Sequence, residues 1–152
     1  MATKSPNLEK NAMRISAAIA ATAILAMAAG AAHADVQKYK ANLTGAAEVP
    51  ANASTARGVV TGVFETDTGE FDYTVTYSGL SGPATGAGFH TAAKGAAGPL
   101  ALALPNPAAP VSGSVKLNPQ QVRDLNSGLL YFDVETGANP NGEIRGQIRR
   151  DY

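Results

Sequence analysis

Apolar residues recur at every second position along most of the chain beyond residue 35, the pattern of β-strands with one buried face. The clearest run is 71–77, where Phe, Tyr and Val alternate with Asp and Thr. The group Asp67-Thr68-Gly69 supplies turn chemistry just before it, so we expect a hairpin with the alternating run 58–65. The same periodicity predicts further strands at 39–43, 85–92, 100–104, 111–117, 129–136 and 142–150.

A single short helix of about two turns is predicted between two of these strands. Asn118 stands at the N-cap, Pro119 at the first helical position and Gln121 at the third position of a capping box, and Gly128 follows the end. Seven or eight short strands with frequent turns and one short helix indicate an all-β fold. We expect an antiparallel, Greek-key-like β-sandwich.

The first 34 residues have a different composition. Segment 1–14 carries three basic residues and one acidic residue, and 15–29 carries no charge. Ala32-His33-Ala34 then offers a small-x-small site for a signal peptidase, with the cut between Ala34 and Asp35. We therefore predict a cleaved signal peptide over 1–34, a single domain over 35–152, and a secreted or periplasmic protein.

Two alternatives bear on this leader. A retained membrane anchor is less favoured, because the uncharged run is mostly Ala and a span needs roughly 20 strongly apolar residues. A start at Met13 would place Arg14 directly before the apolar run and give a more compact signal. If the leader is cleaved, whether translation starts at Met1 or at Met13, no membrane span is expected in the remaining domain.

Composition removes several classes of function. The chain has no cysteine, so disulfides, thiolate metal ligands and a thiol nucleophile are excluded. Loss of the leader removes three of twelve basic residues and one of twelve acidic residues, leaving a net charge of about −2. Such a domain has no general attraction for polyanions, and we expect no nucleic-acid partner.

Five motifs occur in an order that resembles a known family. They are Leu-Thr-Gly-Ala-Ala-Glu-Val-Pro at 43–50, a Tyr-rich strand leading into Gly-Leu-Ser-Gly at 79–82, Gly-Phe-His at 88–90, the segment 117–128, and Gly-Glu-Ile-Arg-Gly-Gln at 142–147. Together they resemble the CHRD domain, first described in chordin and also found in bacterial exported proteins, over 36–149. The resemblance implies an extracytoplasmic β-sandwich and, because chordin is a secreted growth-factor antagonist, a binding or interaction role by analogy.

One position departs from that family. CHRD domains often carry His-x-His where this chain has Gly88-Phe89-His90, so Gly88 replaces the first histidine. The pattern is also faintly similar to the copper-binding strand of copper-zinc superoxide dismutase. A catalytic metal site takes about three protein ligands, and His90 is the only imidazole in 35–152. We predict neither dismutase activity nor any cofactor.

Four residues are candidates for binding: His90, Glu48, Glu143 and Arg145. His90 could contact a metal or a ligand with help from a carboxylate, although a lone histidine is more often a hydrogen-bonded structural residue. Glu143 and Arg145 stand two apart on a predicted strand and therefore share a face. We expect them to form an ion pair with each other or with Glu48.

Other residue sets point to no reaction. One cluster of acidic residues, Asp67, Glu70 and Asp72, could bind calcium weakly but lacks the spacing of a calcium loop. We interpret it as the solvated tip of a hairpin. A Ser-His-Asp triad could draw on four serines, but none of them lies in a Gly-x-Ser-x-Gly nucleophile elbow. They are Ser78, Ser81, Ser112 and Ser114.

We therefore predict no catalytic residues and interpret the chain as an exported, non-enzymatic module that binds a protein or another extracellular ligand. Two alternatives stay open. One is a metal-binding protein or metal-dependent enzyme that uses His90 with nearby carboxylates. The other is a structural component of an extracellular matrix or of the cell surface.

Overall fold

The computed structural model describes residues 35–152; the predicted leader and its cleavage residue Ala34 lie outside the described residues. The described chain forms strands, one short 3-10 turn and one α-helix. In chain order they are β1 (Val36–Thr44), the 3-10 turn (Gly45–Ala47), β2 (Arg57–Glu65), β3 (Glu70–Ser78), β4 (Ala84–Thr91), β5 (Leu100–Ala103), β6 (Val111–Lys116), α1 (Pro119–Asn126), β7 (Leu130–Thr136), β8 (Ile144–Gln147) and β9 (Arg149–Arg150).

All strand pairs are antiparallel and belong to one sheet in the order β5-β4-β7-β8-β1-β2-β3-β6, with β9 paired to β1. Strands β1 to β3 follow one another directly. The chain then crosses to β4 and β5, returns to β6 beside β3, and crosses again to β7. The sheet curls as a half-barrel, which confirms the predicted antiparallel all-β fold with crossing connections.

The core lies between the two halves of the curled sheet. Phe71 of β3 contacts Phe89 of β4 with ring centroids 5.9 Å apart, and Phe89 contacts Phe132 of β7 at 4.9 Å. Face-to-face packing of the halves is the arrangement expected of a sandwich. Most of the alternating apolar residues of β1, β2, β3 and β8 are buried, among them Tyr39, Ala41, Leu43, Val60, Phe64, Phe71, Val75 and Ile144. Leu100 of β5 is an exception, since it is 54% exposed.

The predicted helix signals have their expected geometry. Asn118 Oδ1 accepts a hydrogen bond from the Gln121 backbone N–H at 2.9 Å, and Gln121 Oε1 accepts one from the Asn118 N–H at 2.9 Å. Gly128 follows the helix with a φ of 68°, a conformation that favours glycine. The hairpin of β2 and β3 also turns at Gly69, with a φ of 74°.

The predicted strand 142–150 was wrong in its extent. It is divided into β8 and β9, because the chain changes partners at Ile148, whose N–H donates to the Leu130 carbonyl. β8 pairs mainly with β7, whereas β9 pairs only with β1.

Within 35–152, no helix is both long and apolar enough to cross a membrane.

Candidate functional site

A cluster of polar and aromatic side chains lies on the outer face of β4, β7 and β8. Neighbouring residues of a strand point to opposite faces, so burial of Phe89 and Phe132 in the core turns His90 and Tyr131 outward. The strand register places His90 beside Tyr131, and Asp133 between Gly88 and Arg145. We call the set His90, Tyr131, Asp133, Glu135 and Arg145 the outer cluster.

Tyr131 is the platform of the outer cluster. The His90 ring stacks on it with centroids 5.1 Å apart and planes 15° apart, and the Arg145 guanidinium carbon lies 3.5 Å from its centroid. The Tyr131 hydroxyl accepts a hydrogen bond from the Gly98 N–H at 3.1 Å and donates one to the Gly98 carbonyl at 3.3 Å. The loop between β4 and β5 is thereby held over the outer face and helps to bury it.

His90 contacts both that loop and the neighbouring strand. Its Nδ1 lies 3.2 Å from the Gly98 carbonyl oxygen, and its Nε2 lies 3.2 Å from Asp133 Oδ1. Neither Nε2 nor Oδ1, both buried, has a hydrogen bond of acceptable geometry. Burial lowers the pKa of His90, but the Asp133 carboxylate and the Gly98 carbonyl together raise it above its usual value.

Glu48 and Arg145 line one pocket of about 420 Å³ beside this cluster, together with the exposed side chains of Lys94 and Arg149. Glu48 is 7% exposed, and its Oε1 has no hydrogen-bond partner within the part of the chain that the structure describes. Burial and the charge of Asp133 raise the pKa of Glu48 to about 7, against the opposing effect of Arg145. The carboxyl of Glu48 is therefore more readily protonated near neutral pH than that of an ordinary glutamate.

Arg145 is 2% exposed, yet no carboxylate from residues 35–152 lies within 4 Å of its guanidinium. In the described part of the chain, the single ion pair within that distance joins His90 and Asp133. Apart from Tyr131, the guanidinium contacts Gln147 Oε1 at 3.4 Å. Arg145 is thus a buried cation that faces a pocket without a counter-ion from residues 35–152.

Glu143 lies elsewhere, and the predicted ion pair with Arg145 was wrong. Glu143 is 1% exposed and accepts hydrogen bonds from the Ser54 hydroxyl at 2.7 Å, the Thr136 hydroxyl at 2.7 Å, and the Ser81 hydroxyl and N–H at 2.6 and 2.9 Å. Burial raises the pKa of Glu143, but these donors outweigh it and lower the value to about 2. The two residues do not share a strand face, because Glu143 precedes β8 and turns inward to this network.

The Glu143 network joins two of the five motifs described above, 79–82 and 142–147. It ties the segment after 43–50, the segment 79–82 and the segment 142–147 to one buried carboxylate. The model of the CHRD domain matches residues 39–148. This chain belongs to the CHRD domain family. No curated protein and no solved structure matches it significantly.

Gly88 of this CHRD domain has no room for a larger side chain. A Cβ at this position would lie 2.7 Å from Leu100 Cδ1 and 2.8 Å from the Leu102 carbonyl oxygen. Leu102 is in β5, which pairs directly with β4 at this point. A histidine at position 88 would therefore require a shift of β5.

Three members of the outer cluster were missed by sequence reasoning: Tyr131, Asp133 and Glu135. Their spacing in β7 places them on one face, which the alternation with Leu130, Phe132 and Val134 could have shown. The pattern contains no signal that β7 pairs with β4 and brings this face beside His90. That neighbourhood follows from the sheet order.

The remaining candidate sets of the CHRD domain stay apart. Asp67, Glu70 and Asp72 are exposed, and among residues 35–152 the only group placed to share a metal ion is His90, Asp133 and Glu135. Within the same range, His90 makes no hydrogen bond to any of the four candidate serines. Asp35, predicted to follow the cleavage site, is exposed just before β1.

Proposed function

We propose that this CHRD domain is an exported, non-enzymatic binding module that recognises an anionic group of an extracellular partner at the pocket of Glu48 and Arg145. The observation that carries the proposal is the buried Arg145 guanidinium, which lacks a carboxylate partner and lines the pocket. A buried charge is costly unless it is paired, so an anion that enters the pocket would complete an interaction that the fold has prepared.

The charge of the pocket supports the same class of ligand. Lys94, Arg145 and Arg149 contribute three positive charges, whereas the one acidic side chain lining it, Glu48, has a pKa near 7. Arginine binds planar carboxylates and oxyanions through two parallel N–H donors. Because Tyr131 holds the guanidinium in place, little side-chain entropy is lost when the ligand binds.

Export rests on the basic leader, the uncharged run and the small-x-small site before Asp35. The non-enzymatic role rests on the separation of Glu143 from the pocket and on the absence of a serine beside His90 in the described range. Robust turnover of any substrate that is abolished by His90→Ala would overturn the non-enzymatic part.

Titration of the untagged full-length protein with inorganic sulfate and with acetate, followed by NMR, tests the binding part. We expect Kd values in the millimolar range for these minimal anions, with the largest shifts at the Arg145 side-chain N–H. Arg145→Gln should abolish the shifts, whereas Arg150→Gln, which removes the same charge from an exposed position outside the pocket, should preserve them. Equal loss in the two variants, or no shift in the wild type, would refute an anion pocket at Arg145.

A further inference from the structure

The outer cluster also contains His90 and Asp133, which do not line the anion pocket. His90 Nε2 and Asp133 Oδ1 are buried, lie 3.2 Å apart and have no hydrogen-bond partner among the described residues. Asp133 is 4% exposed, so water does not satisfy its carboxylate from the surface. Buried polar atoms in folded proteins are nearly always paired, so two such atoms that face each other require a proton or a cation between them.

The Gly98 carbonyl decides which kind of group fits. A carbonyl oxygen can only accept, so the 3.2 Å contact requires a proton on His90 Nδ1. In the neutral ring, Nε2 then presents a lone pair to the Asp133 carboxylate, and two acceptors at this distance repel each other. Either a second proton on the ring or a cation between the two atoms removes the repulsion. Histidines that bind metals usually donate their other N–H to a carbonyl or carboxylate in this way.

A third ligand is in place. A carboxylate oxygen of Glu135 lies within 4.8 Å of a ring nitrogen of His90 and of a carboxylate oxygen of Asp133. β4 leaves room for this side chain, because a Cβ at Gly86 would lie 2.5 Å from Glu135 Oε2. β4 thus contributes one imidazole and a glycine, and β7 contributes two carboxylates from its outer face.

We propose that His90, Asp133 and Glu135 form a binding site for a divalent transition-metal ion of the zinc class. With metal–ligand bonds of about 2.1 Å, the distance of 3.2 Å between Nε2 and Oδ1 corresponds to a ligand angle of roughly 100°, between octahedral and tetrahedral values. One imidazole and two carboxylates suit Zn²⁺ and its neighbours, whereas Mg²⁺ and Ca²⁺ prefer oxygen ligands alone. The site uses none of the residues of the anion pocket, so either proposal can fail without the other.

Calorimetric titration of Zn²⁺ into the untagged, chelator-treated full-length protein tests this proposal. We expect one Zn²⁺ per chain in the wild type, with affinity reduced at least about tenfold in His90→Ala and in Asp133→Asn. Asp72→Asn is the matched control, because it removes the same carboxylate charge from an exposed position on β3. This variant should bind Zn²⁺ like the wild type.

A second variant and a spectroscopic readout keep the test independent of folding. Glu135 is half-buried, so Glu135→Gln should fold normally and still weaken Zn²⁺ binding. The EPR spectrum of bound Cu²⁺ should show coupling to an imidazole nitrogen that disappears in His90→Ala. The proposal is overturned if the wild type binds no Zn²⁺, if Asp72→Asn loses as much affinity as the site variants, or if ¹⁵N NMR at pH 7 shows a doubly protonated His90 ring that Zn²⁺ does not change.

Discussion

The Ser81 hydroxyl donates a hydrogen bond of 2.6 Å to Glu143 Oε2, while the Ser81 N–H donates one of 2.9 Å to Glu143 Oε1. This pair ties the loop after β3 to the turn between β7 and β8. Asn52 reinforces the junction, since its side-chain N–H₂ donates to the Glu143 carbonyl at 3.0 Å. Glu143 is therefore a structural carboxylate, and its contribution to stability can be measured.

Glu143→Gln should lower the free energy of unfolding by about 2 kcal/mol at pH 7, because hydrogen bonds to a buried charged acceptor are replaced by weaker neutral ones. Urea unfolding followed by circular dichroism measures the change. Glu70→Gln, at an exposed position of β3, is the matched control and should change stability by less than about 0.5 kcal/mol. Equal effects of the two substitutions would contradict the structural role.

The same carboxylate predicts an acid-sensitive contribution to stability. The pKa of Glu143 is about 2 in the folded protein against 4.5 as its ordinary value, so its stabilisation is complete above pH 4.5 and is lost as the pH falls toward 2. The full loss is about 3 kcal/mol at about 1.4 kcal/mol for each pKa unit. In Glu143→Gln this part of the pH dependence should be missing from unfolding curves between pH 5 and 2.

Glu48 should make stability depend on pH in the opposite direction from Glu143. Its pKa is raised from 4.5 to about 7, so the folded protein binds more protons than the unfolded chain between these values, and stability falls as the pH rises from 4.5 to 7. Glu48→Gln removes this loss and should be more stable than the wild type at pH 8, by up to about 3 kcal/mol. Denaturant midpoints at pH 5 and pH 8 measure the difference. If the stability of the wild type and of the variant depends on pH in the same way, the pKa of Glu48 is not raised in the folded protein.

Gly142 should tolerate no side chain. It has a φ of 120°, and a Cβ there would lie 2.6 Å from both carboxylate oxygens of Glu48. We expect Gly142→Ala to reduce the free energy of unfolding by about 1 to 2 kcal/mol and to displace the Glu48 side chain. Gly137→Ala is the control, because nothing lies within 4 Å of a Cβ at that position. Comparison of the two melting temperatures tests the prediction, and equal melting temperatures would speak against the crowding of Glu48.

The predicted leader can be tested by processing. Expression in a bacterium should yield a mature protein that begins at Asp35, as measured by intact mass and N-terminal sequencing. Ala34→Lys should block the cut, since a signal peptidase requires a small residue before the cleaved bond. Asp35→Asn, on the other side of that bond, should leave processing unchanged. A mature chain that still carries residues 14–34 would instead favour an anchor.

Local patterns along the chain are sufficient to predict the antiparallel all-β class, the capped helix at Asn118 and the inner faces of β1, β2 and β3. These features depend on local rules, because a strand's alternation and a helix cap involve residues close together in the chain. The family resemblance was also legible in the order of the motifs. The residue types of His90, Glu48 and Arg145 identify them as candidates. The side chains that surround them cannot be predicted from the sequence.

The surroundings of those residues depend on which distant strands pair with each other. Asp133 and Glu135 come beside His90 because β7 pairs with β4, and pairing between strands so distant in sequence is set by the burial of the whole sheet. The structure also separates Glu143 from Arg145, since hydroxyl donors from Ser54, Ser81 and Thr136 supply a better environment for a buried carboxylate. Arg145 is left facing the pocket without a carboxylate, and His90 faces one across 3.2 Å.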